Sequence, residues 1–260
     1  MPAPRAVRHG RGARDRGGDP VSRRWLWLLP LVAALARAGE PAGLREGPVV
    51  DVRGTPVQVH LWALPGDAGD LELVEVEPGL FIGRHEVTRR AYAAFCRATG
   101  REMPPGAGDD HPVADVTWEE ARAFCAWAGL ALPREAEWER AARGRDPRRF
   151  PWGDQAGEGR GNFCDADCPE DFEWKEADVR DGFAYTAPVG SFPAGAAPCG
   201  ALDMAGNVWE WCEDEAGRGA RAARGGGWCS PRVAGQVTFR HAFPPGTRWA
   251  GLGFRPVKRP

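Results

Sequence analysis

The run Asp-Met-Ala-Gly-Asn-Val-Trp-Glu-Trp at residues 203–211 constrains this chain more than any other stretch. It places two carboxylates, a glycine, an asparagine and two tryptophans within a few residues. Hard cations such as calcium take oxygen ligands from carboxylates and backbone carbonyls. Asp203 and Glu210 offer the carboxylates, and the carbonyls of Gly206 and Val208 complete a candidate Ca2+ set. The same run also reads as a buried turn carrying two core tryptophans.

A chain with 35 glycines, 24 prolines and 12 tryptophans among 260 residues suits a loop-rich fold pinned by aromatic anchors, not a regular bundle. No segment recurs at the periods that mark solenoids and propellers. Residues 88–99 carry Tyr92, Phe95 and Cys96 at helical spacing, with Gly100 as a stop. Thr117 is an N-cap, and Glu119 and Glu120 favour the first turn of a helix ending at Gly129. A third helix opens at Pro133 and closes at Gly144. Strands are expected within 49–61 and at 71–76, 209–212, 226–228, 237–240 and 252–255. Residues 145–200 read as loops. The pattern is α+β and not a doubly wound parallel sheet.

Residues 1–40 read as a targeting segment, 41–69 as a linker and N-terminal strand region, and 70–260 as the domain. The apolar run at 25–36 is too short to span a bilayer. Arg23 and Arg24 precede it, and small-x-small cleavage sites at its end complete a secretory signal. Export is therefore expected, with membrane attachment only if that segment stays uncleaved. Residues 1–40 hold 8 arginines and 3 acids, which leaves 26 bases against 33 acids in the remainder. An acidic domain argues against nucleic acid as a partner.

Seven cysteines in an exported chain suggest disulfides with one thiol left over. Cys164 and Cys168 are close enough for a local disulfide, and no two further ligands stand beside them to make a zinc site. Cys96 and Cys125 lie on expected helices and can pair across them. Cys212 and Cys229 form a third candidate pair. His85, His111 and His241 show no metal spacing and read as structural. Ser191 and Ser230 have no histidine base nearby, so serine hydrolase chemistry has no support.

A series of ordered blocks then narrows the reading. Ile-Gly-Arg-His-Glu-Val-Thr at 82–88 is followed by Tyr92 and Phe95, then by His-Pro-Val-Ala-Asp-Val-Thr-Trp at 111–118. Leu-Pro-Arg-Glu-Ala-Glu-Trp-Glu at 132–139, Pro-Trp-Gly-Asp at 151–154, Arg-Gly-Gly-Gly-Trp at 224–228 and Gly-Leu-Gly-Phe-Arg at 251–255 continue the series. Together with the 203–211 run, they resemble the formylglycine-generating-enzyme family, the sulfatase-modifying-factor domain.

The resemblance implies an irregular, loop-rich C-type-lectin-like fold. It implies a second cation site from Asn162, the Phe163 carbonyl, Asp181 and the Phe183 carbonyl. It also implies a Cu+ site made by two cysteines five positions apart, but the matching positions here hold Ser230 and Gly235, and Cys229 lies one residue early. The family's disulfide position is occupied at Cys125, and its usual partner position holds Pro256. Two functions follow. One is a calcium-stabilised, non-catalytic binding or accessory protein with an unidentified protein or peptide ligand, a sulfatase among the candidates. The other is a copper-dependent oxidase that converts a protein cysteine to formylglycine or oxidises another substrate.

Overall fold

The computed structural model describes residues 43–260; the targeting segment at 1–40 lies outside them. The expected strand at 49–61 is a hairpin. Arg53 and Gly54 take φ values of 53° and 81°, the left-handed backbone of a tight two-residue turn. That turn separates β1 (Leu44–Val52) from β2 (Thr55–Ala63). β3 (Asp70–Glu77) and β4 (Leu80–Gly83) follow antiparallel, with Val59 opposite Val74 and Val74 opposite Ile82. The sheet therefore runs without a break across residue 70.

Three helices come next, each with its ends encoded locally. In α1 (Arg89–Thr99), the Thr88 hydroxyl accepts the Ala91 amide at 3.2 Å, and left-handed Gly100 stops the last turn. In α2 (Trp118–Trp127), Thr117 and Glu120 form a reciprocal capping box. In α3 (Glu135–Arg143), the Glu137 carboxylate accepts the Arg134 amide at 2.7 Å. The segment expected as loops, 145–200, is loop and turn apart from one 3-10 turn at Pro193–Gly195, and the irregular stretch runs on to 208.

β5 (Trp209–Glu215), β6 (Arg221–Arg224) and β7 (Arg240–Phe243) then pair antiparallel. β8 (Leu252–Gly253) pairs parallel with β5, and β9 (Val257–Lys258) returns to the edge of the first sheet beside β4. The sheet orders are β1-β2-β3-β4-β9 and β7-β6-β5-β8.

Two strand expectations fail. Residues 226–228 form a turn, because Gly225 and Gly226 adopt φ of 95° and 74° and the Ser230 amide closes back on the Gly227 carbonyl at 2.8 Å. Residues 232–235 then wind into a 3-10 turn, so the strand expected at 237–240 begins only at Arg240.

The aromatic anchors hold these pieces together. Tyr92, Phe95, Phe124 and Phe254 pack α1 and α2 into one core cluster. Trp138 of α3 fills a second cluster with Val59, Val74, Ile82 and Met204. A buried indole N–H needs an acceptor. Here each one ties distant segments: Trp62 donates to the Ala128 carbonyl, Trp118 to Cys212 and Trp211 to Val116, at 2.7, 2.9 and 3.0 Å.

Candidate functional site

The nonapeptide starts as a strained turn and ends as β5. Asp203, Gly206 and Asn207 all have positive φ, at 55°, 92° and 63°. No side chain fits at Gly206, where a Cβ would lie 2.4 Å from the Asn162 carbonyl oxygen. The turn therefore packs directly on the 162 loop, and the Asn207 amide donates to that same Asn162 carbonyl at 2.9 Å.

Glu210 has a different role from the one its composition suggested. Both its oxygens are taken by the fully buried Arg255, whose Nε and Nη2 donate at 2.6 and 2.7 Å. Trp138 Nε1 adds a third bond at 2.6 Å. Arg255 also donates to the carbonyls of Gly83 and Leu202, each at 2.9 Å. This buried pair is fully hydrogen-bonded, the condition under which buried charges are tolerated. Each Glu210 oxygen already accepts from the Arg255 guanidinium, so a cation at Glu210 would have to compete with that charge.

Beside it lies a second pair of buried carboxyls. Glu86 is completely buried and Asp203 nearly so. Burial, and then the charge of Asp203, push Glu86 well above the usual carboxylate range. Burial raises Asp203 to about 6, opposed by its bond from the Gly190 amide and by Arg255. Asn207 Nδ2 donates to one Glu86 oxygen at 3.1 Å, and Asn207 Oδ1 accepts from Asn162 Nδ2 at 3.3 Å. Three oxygens in this group, Glu86 Oε2, Asp203 Oδ1 and Asn162 Oδ1, are buried and accept from no N–H donor, and the two carboxyls lie close enough to share a proton. Buried oxygens with no N–H donor beside two acids are the donor set a hard cation requires. Glu86 was missed in the sequence because it stands far from the nonapeptide, inside the Ile82–Thr88 block.

The second predicted set is brought together. Asp181 accepts the Phe163 amide on Oδ2 and the Phe183 amide on Oδ1, each at 3.0 Å. Asn162 holds the Tyr185 carbonyl at 2.8 Å. Two acids not singled out before join Asp181: oxygens of Asp165, Asp167 and Asp181 lie within 4.8 Å of one another. Burial, with the charge of Asp165 adding to it, raises Asp181 to about 6.

The turn at 228–235 carries the positions where a cysteine pair is implied. The Ser230 hydroxyl is locked in place, accepting from Trp209 Nε1 at 3.0 Å and from the Gly227 amide at 3.1 Å. At Gly235 a Cβ would lie 2.6 Å from the Phe163 ring. Neither position holds a thiol, so the residues present do not fit the implied copper site. Cys229 is buried, and burial pushes its thiol up to about 12.

The cysteine pairings expected across the chain are not present among the described residues, where all seven cysteines are free thiols. Cys212 belongs to the Trp138 core cluster, and its sulfur points to the Glu210 carbonyl, so it does not meet Cys229. Cys96 turns its sulfur to the Glu102 carbonyl. The Cys164 and Cys168 sulfurs do meet, at 3.0 Å. The three histidines lie apart. His85 contacts the Glu86 carbonyl, His111 contacts the Thr186 hydroxyl at 3.0 Å, and His241 packs on Phe243.

Comparison with known proteins accords with this geometry. The family model for the sulfatase-modifying factor enzyme 1-like domain matches residues 67–260. The chain belongs to that family. Among sulfatase-modifying-factor relatives, it is 37% identical over 164 residues to the inactive C-alpha-formylglycine-generating enzyme 2 of Bos taurus, covering 58% of this chain and 52% of that one. It is 38% identical over 166 residues to the formylglycine-generating enzyme of Streptomyces coelicolor, covering 62% and 48%. The chain thus spans about half the length of these relatives. The fold matches the structure of PvdO from Pseudomonas aeruginosa with a TM-score of 0.61 at 21% identity, covering 83% of this chain and 99% of that one. The sulfatase-modifying-factor domain here is the irregular C-type-lectin-like α+β fold.

Proposed function

We propose that this chain is an exported, non-catalytic binding or accessory protein of the sulfatase-modifying-factor family, stabilised by bound calcium. One observation carries the non-catalytic reading: Ser230 and Gly235 stand where the cysteine pair is implied. Copper(I) takes soft sulfur ligands. A hydroxyl already bonded to Trp209 is a hard, committed group, and glycine has no side chain. Similarity to a relative named inactive supports the same reading. The ligand is a protein or peptide, with a sulfatase among the candidates. An apolar cleft of about 240 Å3, lined by Pro105, Pro112, Tyr185, Thr186 and Trp228, offers a place for it. Incubating the copper-treated protein with a cysteine peptide of sulfatase type, and searching for the aldehyde by mass spectrometry, tests the reading. Turnover that Cys229→Ser abolishes would overturn it in favour of an oxidase.

Calcium binding rests on the three buried oxygens around Glu86 and Asp203 that accept from no N–H donor. These carboxylates, with the Gly206 and Val208 carbonyls, would hold the first ion. Asn162, Asp181 and the Phe163 and Phe183 carbonyls would hold the second. An ion that binds only the folded state stabilises by about 2.7 kcal/mol at one hundred times its Kd, roughly 5–10 °C in Tm for a domain of this size. Glu86→Gln should lose most of that shift. Glu210→Gln should lower the starting Tm but keep the shift, because Glu210 serves Arg255. Melting that ignores both calcium and chelator, with no metal by elemental analysis, would sink the claim. A shift lost in Glu210→Gln but kept in Glu86→Gln would return the site to Glu210.

A further inference from the structure

Three of the seven cysteines converge in one place. Cys164, Cys168 and Cys229 pack with Trp228 into a single buried cluster, covered by Phe172 and Trp249. Two local devices bring them there. First, Asp165 folds a turn: its Oδ1 accepts the Asp167 amide at 2.8 Å and its carbonyl accepts the Cys168 amide at 3.1 Å. That turn swings Cys168 back over Cys164. Second, the Cys164 amide donates to the Ser230 carbonyl at 3.0 Å, which lays the turn against the segment carrying Cys229. Two neighbouring residues of the covering segment, Trp174 and Lys175, tie it to both halves of the cluster. Lys175 Nζ donates to the Cys168 carbonyl at 2.7 Å, and Trp174 Nε1 donates to the Cys229 carbonyl at 3.1 Å. The bidentate contact of Arg232 with Glu176 closes the base.

We propose that Cys164, Cys168 and Cys229 form a thiol–disulfide site in which Cys164 and Cys168 oxidise to a disulfide and Cys229 is the third thiol that can exchange with it. The oxidation is a two-electron step. The two thiols lose two protons and two electrons as the S–S bond forms. A small-molecule disulfide of the oxidised glutathione class accepts them and leaves as two thiols. Exchange is redox-neutral. Cys229 attacks as the thiolate, which burial disfavours, so exchange is slow and speeds up as pH rises; a new S–S bond forms to one sulfur of the pair and the other sulfur departs as a thiolate. Three thiols with one oxidation between them hold one disulfide and one free thiol. Cys212, Cys199, Cys125 and Cys96 lie outside the cluster and take no part.

The test equilibrates the full chain in glutathione buffers of graded potential, traps free thiols by alkylation, and maps disulfides in an unreduced digest. The wild type should show one disulfide per chain confined to residues 164, 168 and 229, dominated by the 164–168 pairing. Cys229→Ser should keep that pairing. Cys164→Ser should instead join Cys168 to Cys229, a product that neighbouring cysteines without a third partner would not give. Circular dichroism on each variant checks that it is folded, and the wild-type map stands independently of any variant. Three freely alkylated thiols in the oxidised wild type would overturn the proposal. So would a disulfide to any cysteine outside the trio, or a stoichiometric zinc or copper ion that protects all three from alkylation.

Discussion

Arg255→Ala should destabilise the domain by about 3–5 kcal/mol, because removing one partner of a buried ion pair strands the other charge. Glu210 is the stranded group. It is wholly buried, and Arg255 supplies two of its three hydrogen bonds. The same guanidinium satisfies the carbonyls of Gly83 and Leu202. One truncation therefore unfastens the end of β4, Glu210 of β5 and the turn before β5. Urea denaturation read by tryptophan fluorescence measures the loss. A change under 1 kcal/mol would mean that Arg255 is not the centre of the fold. Arg255→Lys should recover only part of the loss, since an ammonium cannot make the two-pronged contact with Glu210.

Trp138→Ala should cost a similar amount, about 3–5 kcal/mol. The indole is completely buried between α3 and the first sheet, against Val59, Val74, Ile82 and Met204. Its loss leaves a cavity and takes one hydrogen bond from Glu210. Trp138 and Arg255 share Glu210, so their effects should not add. The double variant should lose less than the sum of the singles, and strict additivity in denaturation would show that the three residues do not act as a unit. Trp138→Phe separates the contributions: it keeps most of the volume and removes the bond, so it should cost nearer 1–3 kcal/mol, the penalty for a stranded acceptor.

The helices were legible because their determinants are local. Thr88, Thr117 and Gly100 act within a few residues of the ends they set. The hairpin in 49–61 was only half legible, since its turn depends on Arg53 taking a left-handed conformation that favours glycine or asparagine. The strand expected at 226–228 fails because Gly225 and Gly226 adopt positive φ and fold the segment into a turn. The contacts around the site act at longer range. Glu210 looks like a ligand in its nonapeptide, yet Arg255, 45 residues on, takes both its oxygens. Glu86 reaches Asn207 across 121 residues, a separation no local pattern encodes. Cys229 faced the same problem. Its nearest cysteine in sequence is Cys212, but Ser230 pairs with Cys164 through the backbone and draws Cys229 to the 164–168 turn. Ser230 and Gly235 were legible from block alignment alone, and the structure adds why the gap is hard to refill: Phe163 occupies the space a side chain at 235 would need.

That blocked position sets the decisive measurement. On the proposed function, the family scaffold persists here without a working thiol pair. Purified protein, treated with copper(I) and supplied with oxygen and a cysteine peptide, should release no aldehyde-bearing product detectable by mass spectrometry, while a formylglycine-generating enzyme run in parallel converts the same peptide. Installing cysteines at 230 and 235 should not by itself restore turnover, since Gly235→Cys must push the buried Phe163 ring aside at a cost of about 1–3 kcal/mol. Aldehyde formed by the wild-type chain, and lost in Cys229→Ser, would contradict the account and assign the buried thiols to catalysis.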